Sequence, residues 1–287
     1  MLTVGSLFSG IGGLDLGLER SGMKVIWQSE IDPYASKVLA KHWPKVPNYG
    51  DIKTIKWGNI VQPDVICGGY PCQPFSTAGK RNGSDDPRHL WPWVRQAISE
   101  LRPRYAILEN VRGHITLGLS TVLGELASIG YDAEWQIVSA NSVGAPHLRE
   151  RVIIVAYPVR ELANTDSVGC VHRQPQIFTA ERWLDALGYI ASSSQDVAYP
   201  NNCKLDDIND CGINERTHEE WRKVFVTDNA SSGARGASIN WSSEPDVGRV
   251  ANGVPSRVDR LKGLGNAVVP QVAELIGRMV IDYDTNL

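Results

Sequence analysis

The chain predicts an α/β fold built on a largely parallel sheet, and three observations predict it. Apolar runs of strand length alternate with stretches of helical periodicity through the first half of the 287 residues. A glycine-rich turn joins the first run to the first helical stretch, as at the start of a parallel βαβ unit. Beyond residue 156 the texture changes to Asn, Asp, Ser and Gly with weak periodicity, and a clear helical pattern returns only at 270–281.

Each element follows from local pattern. Residues 2–8 read as the first strand and 14–21 as the helix behind the turn. Residues 25–29 make a second strand, and Pro33 opens a helix to residue 42 because its fixed φ suits a first helical turn. A third strand over 65–68 runs directly into Gly69-Tyr70-Pro71-Cys72-Gln73-Pro74. Residues 91–101 are helical, 105–108 a strand, 119–129 a helix, and 134–139 and 151–156 two further strands. The expected body is therefore 1–156 plus 256–287, with an irregular insert at 157–255.

Composition narrows the classes. No apolar run approaches the roughly 18 residues that cross a bilayer, and the N-terminal stretch has no signal-peptide layout. The five cysteines are odd in number and fit neither a zinc site nor a disulfide framework, so no metal is expected and a reducing cytoplasm is. The net charge of −3 gives no support for a polyanion partner. Its distribution is uneven: residues 157–255 hold 9 Lys and Arg against 14 Asp and Glu, leaving the remainder net positive. Within that remainder Lys80, Arg81, Arg88, Arg95, Arg102 and Arg104 cluster after Cys72, and Arg257, Arg260 and Lys262 form a second group.

Several short motifs carry chemistry. A cysteine between two prolines at the end of a buried strand is a thiol held still, and a held, partly deprotonated thiol is a carbon nucleophile. Phe8-Ser9-Gly10-Ile11-Gly12-Gly13 opens a helix whose free N–H groups and bare glycine backbone admit a ligand. It departs from the dinucleotide pattern, since Asp15 stands at the third glycine position. Glu30 ends the second strand, where an acid is placed to bond ribose hydroxyls. Asp51, after Gly50, is a strand-edge carboxylate able to accept from an adenine amino group. Glu109 closes the strand before Asn110-Val111, on the edge where such sheets bind ligands. Arg149 and Arg151, two apart, point to one face if both lie in a strand, and paired guanidiniums suit a carboxylate, phosphate or carbonyl oxygen.

The ordered set — glycine turn, Glu30, Gly50-Asp51, Pro71-Cys72-Gln73, Glu109-Asn110-Val111, Arg149-x-Arg151, Gly263-Leu264-Gly265-Asn266-Ala267-Val268 — resembles the cytosine-C5 DNA methyltransferase family over nearly the whole chain outside the insert. The resemblance implies a Rossmann-like, S-adenosylmethionine-dependent sheet with a small target-recognition domain inserted late. It implies that Phe8, Gly10 and Gly12 line the cofactor, that Glu30 binds its ribose, Ile31 packs on its adenine and Asp51 reads the adenine amino group. Asn266 and Val268 belong to the segment that closes the cofactor pocket.

The implied reaction is DNA (cytosine-5-)-methylation. Cys72 adds to C6 of a flipped-out cytosine, which makes C5 nucleophilic. Glu109 donates at N3, and Arg149 and Arg151 stabilise charge at O2 and orient Cys72 and Glu109. Lys80, Arg81 and Arg88 are read as phosphate contacts on a loop behind the nucleophile, with Arg249 and Arg257 as further DNA contacts. The implied partner is double-stranded DNA, the resemblance admits a cognate restriction endonuclease, and a monomer in a prokaryotic or phage-infected cytoplasm is the expectation.

His147 departs from the family pattern, which often has Gln there, and the insert is short and acidic for a recognition domain. The Asn/Asp/Ser-Pro-Pro-aromatic motif of amino-group methyltransferases is absent. So is the Cys-Phe-Thr segment of transfer-RNA enzymes on this scaffold, which with a non-catalytic DNA-binding relic is the alternative reading.

Overall fold

Val65, Cys67, Tyr105, Ile107, Ile153 and Val155 pack into one hydrophobic cluster, while their neighbours Ile66, Ala106, Leu108, Val152 and Ile154 pack into another. Alternation at period two with both faces apolar is what a sheet covered on both sides demands. The computed structural model describes residues 1–71, 90–145, 147–159, 176–193 and 256–286. Within these, six strands form one sheet in the order β2-β1-β3-β4-β6-β5.

The strands are β1 (Thr3–Leu7), β2 (Lys24–Ser29), β3 (Val65–Gly69), β4 (Tyr105–Val111), β5 (Tyr131–Ser139) and β6 (Glu150–Pro158). The first four are parallel; β6 runs antiparallel to both β4 and β5. Helices α1 (Gly13–Arg20), α6 (Ala180–Ser193) and α8 (Pro270–Thr285) supply one covering layer; α3 (Trp91–Leu101) and α5 (Leu119–Ser128) supply the other. The remaining helices are α2 (Pro33–His42), a one-turn α4 (His114–Leu117) and α7 (Arg257–Asn266).

Two features of this topology make the site. From β1 the chain steps out to β2, then returns to β3 on the other side of β1, so the strand order reverses there. Connections splay apart at such a point and leave a crevice at the carboxyl ends of the strands. The antiparallel β6 then begins where the parallel strands end, and its first residues sit on the same edge.

The expected elements are present, with ends shifted by a few residues. Phe8, expected in the first strand, lies beyond it with φ +51°, a left-handed conformation rare for a bulky residue. The described residues of the segment after 156 are more regular than its composition implied. β6 continues to Pro158, and α6 buries Trp183, Ala186 and Ile190, with Ile177 just ahead of it, in the first cluster. Those three helix positions follow the i, i+3, i+7 spacing of a core-facing stripe. The helix α7 was not anticipated, because two glycines and scattered charges give Arg257–Asn266 a poor helical signature. No helix among the described residues is long and apolar enough to cross a membrane.

Candidate active site

The glycine turn rises from β1 with Gly10 at φ +56° and Gly12 at φ +85°, and Gly12 caps α1. Gly10 N–H donates to Glu30 Oε2 at 2.7 Å, and Asp32 N–H donates to Glu30 Oε1 at 2.7 Å. The carboxylate from the end of β2 is thereby pinned beside the turn. Asn48 holds the same backbone from the other side, accepting from Glu30 N–H and donating to Glu30 C=O. Ile31 is 69% exposed, an apolar side chain left uncovered at this edge. Asp51 accepts from Lys53 N–H and caps a single 3-10 turn, Ile52–Thr54.

The closing segment meets the turn from above. A Cβ on Gly13 would lie 2.4 Å from the carbonyl oxygen of Val268, so only glycine allows this approach. The Val268 side chain itself is buried in the core cluster with Leu14. Asn266, at the end of α7, is exposed. A bare glycine turn, a fixed acid about 20 residues on, an uncovered apolar side chain and a lid segment fit a nucleoside cofactor.

At the far side of the crevice, Arg151 Nε lies 2.7 Å from Glu109 Oε1, with both side chains largely buried. The strand register explains the meeting. Glu109 faces Ile153 across the antiparallel pair, and Arg151, two residues from Ile153, shares that face on the diagonal. A Cβ on Gly69 would sit 2.6 Å from Glu109 Oε2, so the second glycine of Gly68-Gly69 makes room for the carboxyl. Burial pushes the Glu109 carboxyl above its ordinary value, against the downward pull of Arg151 and Arg149. A carboxyl whose pKa is raised by burial holds its proton to higher pH than an exposed one and is the better placed to donate it.

Arg149 does not share this role geometrically. It precedes β6 rather than lying within it, and its guanidinium donates to the Gly265 carbonyl at 2.6 Å. Arg151 thus bonds Glu109 directly, while Arg149 bonds the closing segment and reaches Glu109 through its charge. Burial and the nearby Arg151 charge hold Arg149 below its ordinary value. His147 Nδ1 is buried with no hydrogen-bond partner among the described residues. Arg257 is exposed in the first turn of α7. Cys72, Lys80, Arg81, Arg88 and Arg249 lie outside the described residues.

Four buried polar side chains of the site region, Asp15, Asn110, Tyr70 and His114, were given no chemical role by the motifs. Asp15, wholly buried on α1, accepts from Ser6 Oγ and Gln28 Nε2; Ser9 Oγ in turn donates to Ser6. Burial with no facing cation raises Asp15 to about 6. Asn110 Nδ2 donates to the Tyr70 carbonyl at 3.1 Å, and the Tyr70 hydroxyl is 2.7 Å from His114 Nε2. The clue for Asp15 was its place on the buried side of α1, beside Leu14 and Leu18.

Comparison with known proteins agrees with this geometry. The family model described as C-5 cytosine-specific DNA methylase matches residues 2–240. The Type II methyltransferase M.BsuFI of Bacillus subtilis is 36% identical over 161 residues, 54% of this chain and 39% of that protein. M1.ScrFI of Lactococcus lactis subsp. cremoris is 36% identical over 164 residues, 55% of this chain and 42% of that one. In both cases the match spans well under half of the relative. The solved structure of the S. pombe Dnmt2 methyltransferase aligns over 98% of this chain and 99% of its own, with TM-score 0.57 and 18% identity, a likeness of fold. The six-stranded sheet, the glycine turn, the Glu109–Arg151 pair and the extent of the family match lead to one assignment: the chain belongs to the C-5 cytosine-specific DNA methylase family.

Proposed function

We propose that the chain is a DNA (cytosine-5-)-methyltransferase of the Type II modification kind, acting on a flipped-out cytosine through a covalent adduct at Cys72. The observation that carries the reading is the Glu109–Arg151 pair at 2.7 Å on the strand edge that also holds the glycine turn. A buried carboxyl of raised pKa, fixed by a guanidinium, suits a ring nitrogen that gains basicity during addition.

S-adenosylmethionine, when bound, supplies an electrophilic methyl group. The residues proposed to hold it are Phe8, Gly10 and Gly12 at the turn, Glu30 for the ribose hydroxyls, Ile31 and Asp51 for the adenine, and Asn266 with Val268 from the closing segment. The remaining steps belong to the chain. The Cys72 thiolate forms a bond to C6 while Glu109 delivers a proton to N3, leaving C5 enamine-like. Arg151 keeps Glu109 in place and stabilises charge at O2. Once C5 carries the methyl group, loss of the C5 proton to solvent, return of the N3 proton to Glu109 and expulsion of the thiolate restore the neutral aromatic ring. Extruding the base from the duplex costs a few kcal/mol, returned by pocket and phosphate contacts. Lys80, Arg81, Arg88, Arg249 and Arg257 are proposed for the phosphates.

The body is assigned to 1–156 plus 256–287 and target recognition to the segment 157–255, whose helix α6 docks on the body. Double-stranded DNA is the proposed partner, and a cognate endonuclease follows if the gene belongs to a restriction–modification pair.

The reading is tested with duplex DNA of mixed sequence in which 5-fluorocytosine partly replaces cytosine. Fluorine at C5 cannot leave as a proton does, so the adduct persists. With S-adenosylmethionine present, a protein–DNA species that survives denaturation is expected, with the crosslink mapped to Cys72 by peptide mass spectrometry. Its absence in wild-type protein that binds DNA and cofactor would contradict the covalent route.

A further inference from the structure

Tyr70 is held at both ends. Its carbonyl accepts from Asn110 Nδ2 at 3.1 Å, and its hydroxyl lies 2.7 Å from His114 Nε2. All three side chains are nearly sealed from solvent, at 4%, 3% and 2% exposure. The ring is further clamped between His114, edge-on at 5.5 Å, and Trp91 at 5.2 Å. Trp91 in turn donates from Nε1 to Glu125.

Both anchors come from the exit of β4. Asn110 follows Glu109 directly, and His114 opens the one-turn helix α4 behind it. The strand that carries Glu109 therefore also grips the residue that leads into Pro71-Cys72. The carbonyl held by Asn110 belongs to the Tyr70–Pro71 peptide. Proline fixes its own φ and restricts the residue before it, so few soft torsions separate Tyr70 from residue 72. Burial drives His114 down to about 4, so it stays neutral at working pH and the pair carries no charge across that range.

We propose that the buried Tyr70–His114 hydrogen bond, together with Asn110, makes Tyr70 and His114 positioning residues. They fix the Tyr70–Pro71 peptide, from which the chain leads on to Cys72, relative to the strand end that carries Glu109. This rests on the reading of the chain as a cytosine-C5 methyltransferase with Cys72 as nucleophile. The packing around Tyr70 does not by itself require a hydroxyl: phenylalanine would fill the same space against Trp91. The hydroxyl and the imidazole serve to fix direction.

The test compares wild type, Tyr70→Phe, His114→Phe and the double variant in single-turnover methylation of DNA at saturating S-adenosylmethionine, alongside calorimetric cofactor binding and thermal unfolding. Tyr70→Phe keeps the ring and is the variant least prone to misfold. Each single change is expected to slow the methylation step about tenfold, and the double variant by clearly less than the product of the two, because both remove the same shared bond. Cofactor affinity is expected to stay within about twofold of wild type. A Tyr70→Phe rate equal to wild type, losses that multiply in the double variant, or cofactor affinity falling in step with the rate would each overturn the proposal. Active wild type with unaffected variants removes this inference alone; wild type that forms no 5-methylcytosine removes the functional reading and this inference with it.

Discussion

The guanidinium of Arg149 donates to the carbonyl of Gly265 at 2.6 Å, joining residues 116 positions apart. Gly265 lies three residues before Val268, whose carbonyl rests on Gly13. Arg149 thus ties the strand that faces the reaction centre to the segment that closes on the glycine turn. Arg149→Ala is expected to weaken S-adenosylmethionine binding about tenfold, through loss of a charged hydrogen bond worth roughly 1.5–3 kcal/mol. Isothermal titration of the cofactor checks this; unchanged affinity with a lower chemical rate would place Arg149 on the substrate instead.

Glu109 and Arg151 have opposite demands. Burial raises the carboxyl pKa and Arg151 lowers it, so removing the cation must raise it further. If the protonated form donates to N3, the rate falls as pH rises through the Glu109 pKa. Arg151→Gln is expected to move that alkaline limb to higher pH while lowering the maximal rate by about 10²–10³. Glu109→Gln is expected to lose the limb altogether. Single-turnover rates from pH 5 to 10 measure both, and a limb that stays in place in Arg151→Gln would remove Glu109 from the proton transfer.

Asp15 makes stability depend on pH in an unusual sense. Its folded pKa of about 6 exceeds the ordinary 3.8, so the folded state binds the extra proton between those values. Stability from this group is full below about pH 4, falls as pH rises to about 6, and stays lower above that. The difference amounts to roughly 3 kcal/mol. Asp15→Asn removes the ionisation and keeps Ser6 bonded, provided the Gln28 amide turns its oxygen inward. The variant is expected to be more stable than wild type at pH 8, with the advantage vanishing below pH 4. Urea unfolding at several pH values checks this, and a pH-independent deficit in the variant would show that the carboxylate is better paired than its neighbours indicate.

Trp183, 8% exposed, belongs to the same core cluster as β1 and α8. Trp183→Ala is expected to lower the stability of the body by about 3–5 kcal/mol in a single cooperative transition. A second, separately shifted transition would instead place α6 in an independent unit.

Local pattern was sufficient for the elements whose signals are strong. Apolar runs in β1, β3 and β4, Pro33 and Pro270 at helix starts, and the Gly10–Gly12 turn all say in sequence what they do in space. The meeting of Glu109 with Arg151 was legible only as two motifs, since a strand register is not written in either. Tyr70 and His114 stayed silent because a buried tyrosine and a lone histidine read as core; their bond spans 44 residues and depends on how β3 and β4 end side by side. The helix α6 was missed although Trp183, Ala186 and Ile190 fall on one helical stripe, because the Asn-, Asp- and Ser-rich chain around it was read as one irregular segment. The second attachment of Arg149 was not legible, because its bond to Gly265 joins residues 116 positions apart.

The most direct measurement is the nucleoside content of DNA after reaction. Unmethylated DNA of mixed sequence is incubated with the protein and S-adenosylmethionine, digested to nucleosides and analysed by mass spectrometry, with Cys72→Ser and Glu109→Gln run beside wild type. The account requires 5-methylcytosine from wild type, none above background from Cys72→Ser, and at least a hundredfold less from Glu109→Gln, the scale of losing a transition-state donor, on the order of 10²–10³. No 5-methylcytosine from a folded wild-type protein that binds the cofactor would contradict it, as would undiminished product from Cys72→Ser.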